Sequence, residues 1–345
     1  MRQLSILFRV DASTLMGMGH LMRCRAIAEA VVHCGGVAIF AMAEPIPTAI
    51  ALVKNIPAHL VCLPGPSSGL EDLNGLTNLI GLYNPKITVI DGYHFTDSYH
   101  RAIRRQGPLA VLWDLADRKA ISANVIIDSS PNAPMQSYAK IAPEALLLIG
   151  PRYALIRKDI SQVAMKVGIP LEQRKQLLVT FGGSDPLNLS LSVLPELAKS
   201  LSPDIGINIL LGGAYSHAID LQNFAARYTN RAPITVTIDP PSVAPFFASA
   251  GLVISAAGGT IGELVAMGLP ALSVVVAKNQ VASSQNGPYP CIDGRSPNSA
   301  VLIAERAVLL WQDLPERKRL ASSVLGLVDG HGAMRVANAL LSKQF

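Results

Sequence analysis

The sequence has few cysteines, few charged residues and no long uninterrupted hydrophobic run. Its four cysteines, Cys24, Cys34, Cys62 and Cys291, show no C-x-x-C or other paired spacing. We therefore expect reduced, mostly buried thiols rather than disulfides or a metal site, with Cys24 packed as a small hydrophobe. The longest weakly polar stretch, residues 244–259, is rich in Gly, Ala and Ser. It is shorter than the ~18 apolar residues of a spanning helix, so no membrane insertion is expected.

The charge balance argues against a nucleic-acid-binding surface but does not by itself identify a partner. Lys and Arg number 29 and Asp and Glu 24, which gives a formal net charge of +5. The basic residues are scattered and lack the interleaved aromatics of a nucleic-acid site. The apolar run before Arg9 and Asp11 is too short for a signal-peptide core, so a cytoplasmic location is expected. A mildly basic chain suits a small anionic substrate.

A chain of 345 residues that is 50% hydrophobic is expected to form two domains. In the first half, aliphatic runs alternate with helical segments, which indicates crossover units and a parallel sheet. The predicted strands of this half are 4–10, 37–42, 87–90, 109–113, 125–127 and 146–149, and the predicted helices are 20–33 and 45–55.

The same pattern restarts in the second half. There the predicted strands are 177–181, 207–211, 234–238, 252–254 and 271–276, and the predicted helices are 188–200, 218–228, 260–267 and 300–311. We therefore predict an α/β protein of two doubly wound, Rossmann-like domains facing a central cleft, with ligands at the carboxyl ends of the strands. The predicted domains are residues 1–152 and 153–345, and the last helix is expected to pack back on the first domain.

A glycine-containing loop joins the first predicted strand to the first helix. Gly17 and Gly19 allow a tight turn and a close approach to a ligand, but the third glycine of a dinucleotide fingerprint is absent. His20 stands there instead, at a helix N-terminus that disfavours imidazolium and keeps the ring available as a base. A capping or core role for His20 is equally open. Asp11 and Ser13 could orient a ligand or the histidine, or only close the turn.

Two strand–glycine–helix junctions in the second half predict an anion site. The first is Gly182-Gly183-Ser184 and the second is Gly258-Gly259-Thr260. Both would present backbone N–H groups to a phosphate. Glu263, one turn into the second helix, could accept hydrogen bonds from ribose hydroxyls or be an acid favoured by the helix dipole.

Taken together, the motifs resemble those of the UDP-2,4-diacetamido-2,4,6-trideoxy-β-L-altropyranose hydrolases of bacterial pseudaminic acid synthesis, which belong to the GT-B superfamily. The resemblance covers nearly the whole chain in the family's order. It rests on stretches 9–23, 91–93, 150–157, 181–188, 258–270 and 279–280.

The resemblance implies a metal-independent hydrolase without a cofactor, which releases UDP from a UDP-linked diacetamido trideoxy hexose with inversion at the anomeric carbon. It implies His20 as the base, with Tyr93 and Asn279 as further catalytic residues on the sugar side. The implied substrate-binding residues are Asp11, Ser13, Gly17, Gly19, Arg157, Gly182, Gly183, Ser184, Gly258, Gly259, Thr260, Glu263 and Gln280. The implied partner is the UDP-sugar alone, bound by a monomer.

One segment departs from the family pattern. After Asn279-Gln280 a continuous helix is expected, but residues 281–294 contain two prolines. A loop or short helix there could change which sugar fits. Two alternatives remain open: a GT-B glycosyltransferase that uses the same kind of donor, and a non-catalytic UDP-sugar binding protein.

Overall fold

The computed structural model describes residues 3–13, 16–113, 120–130, 133, 135–164, 169–228, 233–285 and 287–345. The described chain divides into two compact units. Unit 1 comprises Met1–Ile156 and His331–Phe345, and unit 2 comprises Arg157–Gly330. The predicted boundary after residue 152 thus lies before the observed one. The difference arises because residues beyond the predicted boundary, Tyr153 and Leu155, pack against the core of unit 1.

Unit 1 is built on a parallel seven-stranded sheet with helices on both faces. Its strands are β1 (Ser5–Val10), β2 (Val37–Ala43), β3 (Ala58–Leu63), β4 (Ile87–Asp91), β5 (Leu109–Leu112), β6 (Val125–Asp128) and β7 (Leu146–Ile149). They lie in the order β3-β2-β1-β4-β5-β6-β7. The inner strands are continuous aliphatic runs because side chains on both sheet faces are covered.

The helices of unit 1 follow the crossover pattern. They are α1 (Gly19–His33), α2 (Pro47–Lys54), α3 (Leu70–Tyr83), α4 (Asp97–Arg104) and α5 (Met135–Ile141). In α1, Leu21, Cys24, Ala28 and Val31 recur at helical spacing, and all four are fully buried against the sheet. The helix ends before Gly35, whose φ of +80° suits glycine.

Unit 2 is a parallel six-stranded sheet of the same design. Its strands are β8 (Gln176–Thr180), β9 (Gly206–Leu211), β10 (Ile234–Ile238), β11 (Ala250–Ala256), β12 (Ala271–Val275) and β13 (Cys291–Asp293). Their order is β10-β9-β8-β11-β12-β13. Its helices are α6 (Lys158–Ala164), α7 (Leu189–Ser200), α8 (Ala218–Arg227), α9 (Ala244–Ser249), α10 (Thr260–Ala266), α11 (Gln280–Gln285), α12 (Ser299–Gln312) and α13 (Leu314–Val324).

The last helix, α14 (Gly332–Ser342), returns to unit 1 and packs against α1. Val336, Ala337 and Leu340 are fully buried in the core that α1 shares. Burying Val and Leu side chains contributes about 1.5–3 kcal/mol each. Gly332 permits this docking, because a Cβ there would lie 2.2 Å from the carbonyl oxygen of Ala154. The C-terminal helix is therefore an integral part of unit 1.

Candidate functional site

The loop after β1 is a closed turn that ends in the first turn of α1. The Gly17 N–H donates to the carbonyl of Ser13 over 2.8 Å, and the Met16 N–H donates to the Ser13 hydroxyl over 3.0 Å. Gly17 adopts a φ of +78°, a left-handed conformation that favours glycine. Thr14 and Leu15 lie outside the described residues. The turn places Gly19 and His20 at the start of α1.

His20 pairs with Asp91, the last residue of β4. Its Nδ1–H donates to Oδ1 of Asp91 over 2.6 Å, since a carboxylate can only accept. Arg23, one turn along α1, donates from Nε to Oδ2 over 3.0 Å and from Nη2 to Oδ1 over 2.7 Å. Arg23 Nη2 also lies 2.9 Å from His20 Nδ1. Both nitrogens are donors, and they lie close together because both donate to Oδ1 of Asp91. The proton on Nδ1 leaves Nε2 as the basic nitrogen.

Electrostatics keep Asp91 ionised although its side chain is fully buried. Burial acts to raise the pKa of Asp91, but the positive charge of Arg23 and the hydrogen bonds from His20 and Arg23 lower it overall. His20 keeps 9% of its side-chain surface exposed. A buried carboxylate therefore orients a nearly buried imidazole.

Tyr93 adjoins this pair. Its ring meets the His20 ring edge-on with centroids 4.8 Å apart, and it meets Trp113 in the same manner at 5.5 Å. Glycine is needed directly after β4, because a Cβ on Gly92 would lie 2.7 Å from Cε1 of His94. The structure thus brings Tyr93 to His20, as both were predicted to serve one site.

Asp11 lies at the end of β1 but pairs with other groups. It accepts hydrogen bonds from Arg9 Nη1 over 2.7 Å, from the Ala43 N–H over 2.8 Å and from the Ser67 hydroxyl. Burial acts to raise the pKa of Asp11, and hydrogen bonds from His94 and Arg9 outweigh it and lower the pKa well below its usual range. Among the described residues, its carboxylate orients this network rather than His20.

The His20–Asp91 pair lies at the switch point of the first sheet. Chain connections run outward on both sides of β1 and β4, and Val10 is the register partner of Asp91. In doubly wound sheets, ligands bind beyond the carboxyl ends of the two strands where the order reverses. Topology and side-chain chemistry therefore indicate the same position in unit 1 as the candidate ligand site.

In unit 2, the corresponding switch point lies between β8 and β11, and the two predicted glycine turns follow these strands. After β8, Gly182 has a φ of +90° with open space around it. Gly183 touches the backbone of the next turn, because a Cβ on Gly212 would lie 2.5 Å from its Cα. Gly183 and Ser184 are partly exposed.

The helix N-terminus after this first turn is capped by a side chain. Asp185, with a φ of +41°, accepts the N–H groups of Leu189 and Ser190 over 3.0 and 2.7 Å. These are the first groups of α7, so the anion site expected there is filled by the chain's own carboxylate. Only the backbone of Gly182, Gly183 and Ser184 remains as a candidate at this turn.

The second turn differs. No side chain among the described residues caps α10, whose preceding residues are Gly258 and Gly259. A Cβ on Gly258 would lie 3.5 Å from Nε2 of Gln280, so the Gln280 amide is a neighbour of this turn. Gln280 Oε1 accepts the N–H of Val276 over 2.8 Å, which fixes the amide. Thr260 begins α10, and Asn279 lies partly exposed beside Gln280.

Glu263 and Arg157 form a bidentate ion pair. Arg157 Nε donates to Oε1 over 2.6 Å and Nη2 donates to Oε2 over 2.5 Å. Burial acts to lower the pKa of Arg157, but the charge and hydrogen bonds of Glu263 raise it overall. Both residues were predicted to contact substrate, and the structure joins them to each other. Each Glu263 oxygen has a second lone pair with which it can accept a hydroxyl donor.

Three further expectations concern thiols, metals and membranes. All four cysteines are free, but only Cys24 is buried; Cys34, Cys62 and Cys291 are exposed, so the expectation of mostly buried thiols was wrong. Cys62 and Cys291 lie on the edge strands β3 and β13, where one side of the strand is open. Among the described residues no group of three or more His, Cys, Asp or Glu side chains could hold a metal ion. None of the helices described here has the length and apolarity to cross a membrane.

Comparisons with known proteins give distant relatives and a common fold. No protein-family model matches the chain. It is 24% identical over 282 residues to the UDP-2,4-diacetamido-2,4,6-trideoxy-beta-L-altropyranose hydrolase of Campylobacter jejuni, which covers 81% of this chain and 95% of that protein. It is 23% identical over 278 residues to the uncharacterized protein MJ1062 of Methanocaldococcus jannaschii, or 79% of this chain and 55% of that protein. The chain thus spans about half the length of this second relative.

Solved structures match over essentially all of the chain. The MurG of Acinetobacter baumannii superimposes with a TM-score of 0.63 at 17% identity, over 99% of this chain and 100% of that one. A UDP-glucosyltransferase from Polygonum tinctorium gives a TM-score of 0.69 at 14% identity, with the same two coverages. The chain has a GT-B-like fold. This confirms the predicted fold class of two parallel α/β sheets.

Two residues of this GT-B-like chain were not predicted as site residues although they complete the His20 site. Asp91 and Arg23 were read only as parts of the family's motifs. The signal that could have found Asp91 is its position directly after a buried strand, at the sheet edge that His20 also faces. Arg23 follows His20 by three residues, which places both on one helix face.

Proposed function

We propose that this protein is a hydrolase that cleaves UDP from a UDP-linked 2,4-diacetamido-2,4,6-trideoxy hexose of the altrose type. The observation that carries the proposal is the His20–Asp91 pair at the switch point of the first sheet. The GT-B-like fold and the 24% identity to a hydrolase of that substrate support it. The two glycine turns at the switch point of the second sheet support binding of a nucleotide diphosphate.

The His20–Asp91 geometry suits general-base catalysis. The Nδ1–H bond to Asp91 fixes the ring, so that Nε2 accepts a proton from water as the water attacks the anomeric carbon. Asp91 and Arg23 stay in place, and the ionised carboxylate stabilises the imidazolium that forms. Attack from the face opposite UDP inverts the anomeric centre. Tyr93, packed on the His20 ring, and Asn279 are proposed to contact the sugar.

Departure of UDP places negative charge on its diphosphate. Backbone N–H groups of the Gly258-Gly259-Thr260 turn are proposed to receive that charge, with Gly182, Gly183 and Ser184 as the second contact. Glu263, held by Arg157, is proposed to accept the ribose hydroxyls through its remaining lone pairs. Gln280 would then orient the Gly258 turn. The proposed reaction needs neither a metal nor a cofactor.

The remaining predicted ligand contacts receive narrower roles. Ser13, Gly17 and Gly19 shape the turn that begins α1, and we propose that their backbone lies close to the substrate. Asp11 is proposed to act through its neighbours, because its oxygens are engaged by Arg9, Ser67 and Ala43. A monomer located in the cytoplasm remains our expectation.

The test is release of UDP in water alone. The purified protein is incubated with the UDP-linked diacetamido trideoxy altrose and no acceptor, and NMR follows UDP and the first-formed anomer of the sugar. We expect turnover with inversion, its loss in His20→Asn, and UDP binding unchanged in that variant. His59→Asn is the matched control, since His59 is exposed near the amino end of β3. Full activity in His20→Asn would refute the assigned base.

A glycosyltransferase is the second candidate, favoured by the same His20–Asp91 pair. An oriented imidazole can deprotonate an acceptor hydroxyl as readily as water. The experiment above separates the two, because a transferase releases UDP only slowly until an acceptor is supplied. Tight UDP binding without turnover, with or without acceptors, would instead support a non-catalytic binding protein.

A further inference from the structure

A second polar cluster lies at the same edge of the first sheet as His20. It consists of Arg9, Asp11, Ser67, Asp72 and His94. The Ser67 hydroxyl donates to Asp11, while it accepts from Arg9 Nη2 over 3.0 Å and contacts His94 Nε2 at 2.7 Å. Since the hydroxyl proton goes to Asp11, the His94 contact requires the proton on Nε2. In the imidazole form of His94 this tautomer leaves Nδ1 as an acceptor.

This cluster rests on a fully buried cation. Arg9 donates from Nε and Nη2 to the two oxygens of Asp72, each over 2.9 Å, and its guanidinium lies 4.9 Å from the ring centroid of Phe95. Arg9 and Asp72 are both 0% exposed. A bidentate pair of this kind holds its members in one geometry. The positions of Asp11 and Ser67 are consequently fixed before any ligand arrives.

The cluster adjoins the His20 site through the end of β4. Val10 and Asp91 are register partners, so Asp11 and Gly92 follow them on strands about 4.8 Å apart. Tyr93 packs against His20, and the next residue, His94, bonds to Ser67. His94 keeps 25% of its side chain exposed. Among the described residues none hydrogen-bonds to its Nδ1.

We propose that His94 is a sugar-recognition residue whose Nδ1 accepts a hydrogen bond from an N–H or O–H of the sugar, and that Ser67 is its positioning residue. The sugar is the one carried by the nucleotide sugar that binds at His20, so this inference rests on the proposed function. An acetamido substituent supplies the N–H donor that an accepting, ring-fixed imidazole nitrogen matches. Ser67 acts only by holding the Nε2–H, since its own hydrogen-bonding positions are filled.

The test measures how much affinity the sugar adds to UDP. In a His20→Asn parent, which leaves the nucleotide sugar intact, calorimetry gives Kd for UDP and for the UDP-linked diacetamido sugar. His94→Phe removes the acceptor and keeps the ring. We expect it to reduce the ratio of the two Kd values by about fivefold, the scale of one hydrogen bond, with Kd for UDP unchanged.

Ser67→Ala and Ser67→Thr test the positioning role. Alanine frees the imidazole and is expected to reduce the ratio by about two- to fivefold, whereas threonine keeps the hydroxyl and restores the ratio. The matched controls are His59→Phe and Ser5→Ala, both at the amino end of their strands. Ser5 is about 17 Å from the carboxyl end of β1 at ~3.3 Å per residue.

The outcomes separate this inference from the reaction proposed above. An unchanged ratio in His94→Phe, an equal loss of UDP affinity, or a parent in which the sugar adds no affinity would overturn the inference. Hydrolysis by the wild type with an unchanged ratio overturns only this inference. No turnover by the wild type, with the ratio reduced as expected, overturns only the hydrolase reaction.

Discussion

Replacement of Asp91 by Asn tests whether the buried carboxylate orients the base. The wild-type carboxylate accepts the His20 Nδ1–H over 2.6 Å and two Arg23 donors over 3.0 and 2.7 Å. An asparagine offers one accepting oxygen and one donating NH₂. If the oxygen stays with Arg23, the NH₂ group faces Nδ1, and His20 must move its proton to Nε2 to accept it. The imidazole then presents a donor where the reaction needs a base.

The size of the effect follows from that change of tautomer. Loss of general-base function typically lowers the rate by about 10²–10⁴-fold, and a displaced tautomer falls in the upper part of that range. Leaving Arg23 without its charged partner also costs about 3–5 kcal/mol of stability, because the Arg23 side chain is only 16% exposed. UDP affinity should be unchanged, since the turns proposed to bind the nucleotide are in unit 2.

The assay is kcat for UDP release at saturating nucleotide sugar, with circular dichroism to verify that the variant is folded at the assay temperature. Glu144→Gln is the control, an acid-to-amide change on a side chain that is 83% exposed. Because the pKa of Asp91 is lowered by Arg23 and His20 against the effect of burial, the carboxylate is ionised throughout the neutral range. A folded Asp91→Asn variant with kcat within about threefold of the wild type would refute the reasoning.

Three further predictions concern stability, each measured as the free energy of unfolding in urea. Asp72→Ala leaves the buried Arg9 with one of its two ion pairs and should cost about 3–5 kcal/mol. The control is Glu71→Ala, at an exposed position in the same helix turn, which should cost under about 1 kcal/mol. Equal losses in the two variants would contradict the buried network. Gly182→Ala places alanine at a φ of +90° and should cost about 1–3 kcal/mol of stability. Its control, Gly81→Ala in α3, has open space around the new Cβ and should stabilise the protein by about 0.5–1 kcal/mol. A stabilised Gly182→Ala variant would exclude the left-handed turn. Burial raises the pKa of Asp185 against its hydrogen bonds from α7, so its contribution is present at low pH and lost as pH rises through the folded pKa. Asp185→Asn keeps one of the two accepting oxygens and cannot ionise, so its stability relative to the wild type should rise as pH increases from about 4 to 7. Asp185→Ala should lose about 1 kcal/mol at low pH, and parallel pH profiles would contradict the argument.

The strands predicted from the sequence were those buried on both faces or strongly alternating. The strand at Ile234–Ile238 was predicted with its observed bounds, and β1 and β2 to within one residue at each end. The strands β3 and β13 were missed. Both are edge strands, with exposed residues such as His59 and Cys291 breaking the aliphatic run. Edge position alone does not explain the miss, because β10 is also an edge strand; periodicity reports burial, so it weakens where exposed residues interrupt the aliphatic run.

The sequence predicted which residues belong to the candidate site better than it predicted which of them contact one another. His20 was identified from its place after a glycine loop, but Asp91 is 71 residues away in sequence. Their meeting depends on β4 lying beside β1, which no local pattern states. Arg157 and Glu263 were both predicted, yet not as partners, since 106 residues separate them. Residue chemistry can be read locally, whereas pairing requires the strand order.

The two glycine turns of unit 2 show why similar sequences differ as anion sites. Both follow a strand at the switch point and precede a helix, and from the sequence both offered free N–H groups. Asp185 takes a left-handed φ of +41° and accepts the first N–H groups of α7 with its own carboxylate. Among the described residues no side chain does this at α10. A phosphate at α7 would have to displace a carboxylate that already satisfies these groups, whereas one at the Gly258 turn would meet no such competitor. The diphosphate is therefore expected at the second turn, because the residue that caps the helix decides whether the pattern can bind an anion.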